Sequence, residues 1–261
     1  MRLFHPPPCA TIPGMVGLSL EQARGFVRAA RRIVALTGAG ISTPSGIPDF
    51  RSPTSGVWHS ADPAIVASLG AFKRDPQPFY RWIKPLIPTM LNAEPNPAHY
   101  ALAELERRGK LAAIITQNID GLHQKAGSHT VYELHGHLRT ATCTRCGRSY
   151  AAAEHLAAAQ QGLVPRCACG GAIKPDIILF DELLPTGVWQ RAEAAIKHCD
   201  LLIVAGTGLE VYPVADLPET ALRHGARLII VNYTPTWADD YAHALLHEDV
   251  AVALPQIVAD G

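Results

Sequence analysis

Four cysteines stand in two close pairs, Cys143-Thr144-Arg145-Cys146 and, about twenty residues on, Cys167-Ala168-Cys169, followed by Gly170-Gly171. Thiolates paired at this separation fit a tetrahedral zinc ribbon. A set of four leaves no coordination position open, so such an ion is structural and not catalytic. The second pair is one residue shorter than the usual knuckle, and the alternative is four unliganded thiols. Cys9 and Cys199 stand apart, and Cys199 is expected to be a small buried residue. A different chemistry is suggested by Gly38-Ala39-Gly40 at the end of an apolar run. Glycines there let a pyrophosphate approach the backbone closely. Thr43 stands where the dinucleotide fingerprint has its third glycine, and Pro44, Gly46 and Pro48 prevent a clean helix, which disfavours an ordinary hydride-transfer dehydrogenase. A turn that needs glycine for steric reasons is the alternative. Asn118 and Asp120 follow a second apolar run, where Asp120 can accept from an amide NH2 or simply belong to a turn. His135 and His137 are two of twelve histidines, and as a pair they raise a metal hydrolase as a rival reading.

The elements that must position these groups are legible as runs. The segments 32–37, 111–116, 201–205 and 227–231 are continuously apolar, as expected for parallel strands covered on both faces. Helices are expected over 19–31 with Ser19 as N-cap, over 96–108 stopping at Gly109, over 189–198, and over 215–224 stopping at Gly225. This alternation predicts an α/β fold: a Rossmann-like parallel sheet with helices on both faces, with ligands at the carboxyl ends of the strands. Two stretches break the pattern, 42–91 and 143–171, and are expected to build a smaller lobe from a helical insertion and a four-cysteine zinc ribbon. The expected division is 1–48, 92–137 and 175–261 for the Rossmann-like domain, 49–91 for a cofactor loop and helical module, and 138–174 for the zinc ribbon.

The segment Gly38-Ala39-Gly40-Ile41-Ser42-Thr43-Pro44-Ser45-Gly46-Ile47-Pro48-Asp49-Phe50-Arg51 resembles the signature of the sirtuins, the silent-information-regulator family of NAD-dependent protein-lysine deacylases. Thr116-Gln117-Asn118-Ile119-Asp120-Gly121-Leu122-His123 and Glu133-Leu134-His135-Gly136 match the second and third family motifs in order. The resemblance runs from about residue 18 to the C-terminal region. It implies that NAD is consumed as a co-substrate, that the acyl group passes from lysine to ADP-ribose, and that nicotinamide and O-acetyl-ADP-ribose are released. By the same resemblance His135 is the general base and Asn118 its catalytic companion. The cofactor side would comprise Gly38, Ala39, Gly40, Thr43, Asp49, Phe50, Arg51, Gln117, Asn118, Ile119, Asp120, His135, Gly206, Thr207, Gly208 and Asn232. Phe50 would shield the reacting carbon from water. Ile178, Leu179, Phe180, Glu182 and Val211 would meet the acyl-lysine peptide, which adds as a strand between two protein strands. Sirtuins carry a four-cysteine zinc module in the same place, which makes Cys143, Cys146, Cys167 and Cys169 the ligands of one structural zinc.

The chain departs from the family at two positions: Gly208 stands for the usual serine and Asp181 for the usual glycine. Sirtuins that prefer acidic acyl groups carry Tyr with Arg three positions on, whereas Tyr80 is followed by Ile83. Burying a carboxylate there without a cation is costly, so a neutral acyl group, acetyl first, is expected. Mono-ADP-ribosyl transfer and a non-catalytic NAD or peptide sensor are the remaining alternatives. Hydrophobic residues at 48% supply a core, and 23 basic residues balance 23 acidic ones, so no long-range pull toward nucleic acid or anionic membrane is expected. No apolar run reaches the ~20 residues of a membrane span. A monomer in the reducing cytoplasm is expected, acting on acetyl-lysine-bearing proteins or peptides.

Overall fold

The computed structural model describes residues 13–49, 56 and 62–259. Its strands are β1 (Ile33–Thr37), β2 (Leu111–Thr116), β3 (Val131–Glu133), β4 (Gly136–Cys143), β5 (Ser149–Ala151), β6 (Ile173–Ile177), β7 (Leu201–Ala205), β8 (Arg227–Val231) and β9 (Ala244–Leu246). The helices are α1 (Pro13–Ala29), α2 (Pro63–Val66), α3 (Leu69–Arg74), α4 (Gln77–Ile83), α5 (Leu86–Asn92), α6 (Pro97–Arg107), α7 (Leu122–Lys125), α8 (Ala153–Gln160), α9 (Thr186–Lys197), α10 (Leu217–Arg223) and α11 (Val250–Val258).

Six strands form one sheet in the order β3-β2-β1-β7-β8-β9, every neighbouring pair parallel. The continuous apolar runs have a direct cause. Ile33 and Ala35 face the layer of α1, α6 and α11, while Val34 and Leu36 face the layer of α9 and α10. Successive side chains on a strand point to opposite faces, so a strand covered twice has no polar position. Each large side chain buried this way contributes about 1.5–3 kcal/mol. The chain winds outward in both directions from β1 and β7, which leaves a crevice at their carboxyl ends.

Side-chain caps start α2 (Asp62), α3 (Ser68), α6 (Asn96) and α11 (Asp249). Asn96 caps α6 in a capping box with His99, as the sequence suggests. Ser19 is not an N-cap: α1 already starts at Pro13, and the Ser19 hydroxyl instead donates to Leu245 O (2.7 Å) and accepts from its N–H (2.9 Å), docking the helix on β9.

The second sheet is antiparallel, in the order β5-β4-β6. Helices α3, α4, α5 and α8 pack beside it around Phe72, Phe79, Tyr80, Ile83 and Ile87. The domain boundaries expected at 137/138 and 174/175 fall inside β4 and β6. Among the described residues no helix is long and apolar enough to cross a membrane.

Candidate active site

The carboxyl ends of β1, β2, β7 and β8 open onto one cavity of about 870 Å³ between the two sheets. Glycine is required where the first two loops touch. A Cβ on Gly40 would stand 2.9 Å from Gly206 Cα, and one on Gly206, whose φ is +63°, would stand 2.2 Å from Ile41 N. The two loops are therefore in backbone contact at Gly40 and Gly206. After Gly38 the chain takes two short 3-10 turns, Ala39–Ile41 and Thr43–Ser45, in place of the long helix of a dehydrogenase fingerprint.

Polar groups converge on this contact. Asn118 Nδ2 donates to Gly38 O (3.0 Å) and Ser42 Oγ (3.1 Å), and the Ser42 hydroxyl donates to Asp120 Oδ2 (2.7 Å). Asp120 Oδ1 accepts the Leu122 N–H (2.9 Å). Burial pushes the Asp120 carboxyl up, and these two donors oppose the shift. Ser42 is a site residue that the sequence reading missed; its place in the first signature was the available signal. Gln117 Nε2 donates to Thr207 Oγ1 (3.0 Å), tying β2 to β7.

His135 lies in the link between β3 and β4, where the two sheets meet. Its backbone carbonyl accepts the Ile178 N–H (2.8 Å), and its Nδ1–H donates to Gln117 O (3.1 Å). A carbonyl only accepts, so Nδ1 holds the proton and Nε2 is left as the basic nitrogen. Burial lowers the His135 pKa below 6.5, with the Gln117 carbonyl acting the other way. The next residue, Gly136, has φ +75°, and a Cβ there would stand 2.0 Å from Asp176 O on the crossing strand β6. His137 lines a separate cavity on the far side, bounded by Arg139, Lys174 and Arg191. It does not share the cleft with His135, which removes the basis for a two-histidine metal centre.

The outer rim has two lips. One is 180–183, joined to 67–69 by Phe180 N–H to Ala67 O (2.9 Å) and Leu69 N–H to Phe180 O (2.9 Å). The other is 208–212. Asp181 keeps the left-handed backbone of a glycine, with φ +63°, at a cost of ~1 kcal/mol or more. At Gly208 a Cβ would stand 2.9 Å from Glu210 Oε1, so the Glu210 side chain occupies the space of the family's serine. Glu182 turns inward, where its carboxylate accepts from Lys174 Nζ (3.1 Å) and Leu179 N–H (3.0 Å). Trp82, Ile83, Leu86 and Met90 supply an apolar inner wall that the sequence reading did not assign. Tyr80 is buried with its hydroxyl on Ile173 O, and no lysine or arginine lines the cavity among the described residues.

Of the expected ligand-contacting residues, Thr43 is the one described residue that does not line this cavity; its hydroxyl turns back to Gly40 O (3.0 Å). Phe50 and Arg51 lie outside the described residues. All the others are brought together: Gly38, Ala39, Gly40 and Asp49 on the first loop, 117–120 and His135 at the centre, and Ile178 through Val211 and Asn232 around the rim.

The four cysteines also converge. Their Sγ atoms all lie within 4.8 Å of one another, with Cys143–Cys169 at 3.5 Å and Cys146–Cys167 at 3.6 Å. A tetrahedron of thiolates with Zn–S bonds of 2.3 Å has edges of about 3.8 Å, so the donor set fits a structural Zn2+ despite the short second pair. The Tyr150 hydroxyl donates to Cys167 Sγ (3.0 Å) and holds that thiol down at about 6, which favours the ligating thiolate.

Behind Asn118 lies a buried polar chain that joins Thr116 and His123 of the second motif to Thr37, Asn96 and His99 outside it. Thr37 donates to Thr116 Oγ1 (2.9 Å), which also accepts the Asn118 N–H (3.1 Å), and His123 Nε2–H donates to Thr37 Oγ1 (2.9 Å). His123 packs on His99 with ring centroids 4.9 Å apart, and His99 Nδ1 accepts the Asn96 N–H (3.3 Å). Both imidazoles are fully buried, and burial lowers His99 to about 4 and His123 to about 3. The unfolded chain, with histidines near 6.5, binds these protons first. Their share of stability is therefore complete above pH ~6.5 and is lost as pH falls through about 4 and then about 3. Urea unfolding at pH 7 and pH 4 should show a loss of about 3 kcal/mol for each imidazole, and a His99→Gln, His123→Gln variant should show a flatter dependence on pH. Equal slopes for the two proteins would show that the pair does not titrate this way.

A parallel sheet with glycine loops at its switch point, closed by a second lobe, defines a Rossmann-like nucleotide-binding protein with a peptide-sized rim. Within that class the chain belongs to the Sir2 family, whose profile matches residues 38–213. The NAD-dependent protein deacetylase of Sulfolobus acidocaldarius is 44% identical over 227 residues, spanning 87% of this chain and 88% of that protein. The NAD-dependent protein deacylase 2 of Archaeoglobus fulgidus is 44% identical over 243 residues, spanning 92% and 95%. A Sir2 structure with a deacetylated peptide and acetyl-ADP-ribose superposes with a TM-score of 0.88 at 40% identity, covering 93% of this chain and 98% of that one.

Proposed function

We propose that this protein is an NAD-dependent protein-lysine deacylase that removes acetyl groups first. The observation that carries the reading is His135, held as a neutral base in the cleft that the glycine loops and the two lips share. Bound NAD would supply the leaving nicotinamide and the ribose that takes the acyl group. The chain's own part is positional. Gly38, Gly40 and Gly206 give a close backbone wall for the pyrophosphate, with Ala39, Thr207, Gly208 and Asn232 beside it. Asp120 and Ile119 face the amide end, Asn118 and Gln117 order the ribose side, and His135 Nε2 takes the hydroxyl proton. The backbone of Asp181 and that of Gly208 make no hydrogen bond among the described residues, which supports strand addition by the substrate between the lips. The absence of a cation among the described lining residues supports a neutral acyl group.

Relatives named as deacetylases, and a neighbour carrying a deacetylated peptide, support protein or peptide substrates. A monomer in the reducing cytoplasm, without nucleic-acid or membrane partners, completes the reading; it is supported by the thiolate set and the balanced charge. So does the division into a Rossmann-like domain, a helical module and a zinc ribbon. The test is mass spectrometry of an acetyl-lysine peptide with and without NAD. The expected result is NAD-dependent loss of acetyl with equal amounts of nicotinamide and O-acetyl-ADP-ribose. Deacetylation without NAD, or ADP-ribose attached to protein in place of acyl transfer, would overturn it.

A further inference from the structure

Lys174 on β6 is a buried lysine, 8% exposed. Burying an ammonium is costly unless its donors are met. Here all three are: Nζ donates to Pro175 O (3.2 Å), Ile177 O (2.6 Å) and Glu182 Oε2 (3.1 Å). The same carboxylate oxygen accepts the Leu179 N–H (3.0 Å), and the Glu182 N–H donates to Leu179 O (3.1 Å). Between these bonds the Ile178 N–H is held by His135 O (2.8 Å). The pairing of β6 with β4 ends at Ile177, yet the backbone beyond it stays fixed, because one ion pair holds Ile177 and Leu179 together.

The two partners do not stand in the same place. Glu182 lines both the cleft and the separate cavity that holds His137, whereas Lys174 lines the second cavity and not the cleft. What the ammonium does for the cleft it therefore does through Glu182 and the carbonyls of its own strand. Glu182 in turn offers its charge to Lys174 and not to a substrate. Such a pair costs solvation that two apolar side chains would not. What it fixes is the course of 177–182, the lip along which Ile178, Leu179 and Phe180 border the cleft. The outer end of the lip is tied to 67–69 by the Phe180 bonds, and the inner end by Lys174.

We propose that Lys174, acting through Glu182, is a positioning residue for the acyl-lysine peptide: the buried ion pair sets the lip on which the peptide strand is added. The inference rests on the deacylase reading, and it gives Glu182 a role behind the lip in place of contact with the peptide. Lys174→Met, Glu182→Gln and the double variant test it against the parent. The readouts are KM and kcat for an acetyl-lysine peptide at saturating NAD, Kd of the same peptide from fluorescence anisotropy, NAD affinity by titration calorimetry, and thermal melting. Each single variant is expected to raise peptide KM and Kd about tenfold, with kcat within about threefold and NAD affinity within about twofold of the parent. The double variant should lose no more than either single one, since the pair acts as a unit. Glu182→Gln keeps an acceptor for the Leu179 N–H and removes the charge, so it reports on the pair even where Lys174→Met fails to fold. Lys174→Arg, which keeps a cation facing Glu182, should recover most of the lost affinity. Unchanged peptide KM and Kd in the single variants would overturn the inference while the deacylase reading stands. So would NAD affinity and melting temperature falling in step with peptide affinity. A parent that binds the peptide without turnover would overturn the deacylase reading, and the peptide Kd values would still decide the role of the pair. A parent that binds no peptide would overturn both.

Discussion

His135→Ala is expected to slow deacetylation by about 10²–10⁴-fold, the usual contribution of a positioned general base. The geometry leaves no substitute at that point. The Gln117 carbonyl fixes the tautomer of His135, and the other titratable groups of the described wall are the rim tyrosine Tyr212 and carboxylates, one of them sealed against Ser42 and the Leu122 N–H. Burial lowers the imidazole pKa, so the neutral, proton-accepting form persists below pH 6.5. In the unsubstituted protein kcat/KM should therefore hold level through neutrality and fall only as pH drops through a value under 6.5. Turnover measured from pH 5 to 9 checks both statements. An alanine variant within about threefold of the parent would assign the proton transfer elsewhere.

Removing the metal is expected to have the second largest effect. The apolar cluster of the ribbon consists of Ala141, Cys143, Cys167 and Ile173, with Tyr150 and Cys169 against it. So small a cluster buries little apolar surface, and zinc held by four thiolates would tie the two cysteine pairs of the ribbon together, with binding coupled to its folding. Cys146→Ser, or chelation, should release one zinc per chain and loosen β4 and β6. Those strands end beside His135 and Ile178, whose backbones are hydrogen-bonded to each other (2.8 Å), so deacetylation should fall at least tenfold as well. Metal analysis, near-ultraviolet circular dichroism and turnover on the same sample check the sequence of events. Zinc loss without a change in either signal would make the ribbon self-sufficient.

The central strands were readable in the sequence because burial on both faces writes an uninterrupted apolar run. The edges were not. β3 and β9 are only three residues each, β6 contains Lys174 and Pro175, and α11 carries Pro255 inside it. Short edge strands need no apolar run, and a proline reads as a helix stop unless tertiary packing holds the helix together. The site follows the same division. Residues on motif loops, from Gly38 to Asp120 and His135, are expected from their pattern, and those of them that line the cleft lie together. Ser42, the His99–His123 pair and the apolar wall of α4 and α5 act through contacts between segments far apart in sequence, which spacing along one chain does not encode.

The crossing at Gly136 bears on how such a sequence can drift. A methyl group at this residue would overlap Asp176 O, in a backbone conformation that already excludes most side chains. The fourth letter of the histidine motif is thus held by packing, independently of the reaction next to it. A library selected only for folded, soluble protein should retain glycine at 136 while freely losing His135, whereas selection for turnover should retain both. Adjacent letters of one motif would then record two separate pressures, and a descendant that had abandoned catalysis would still carry half of the signature.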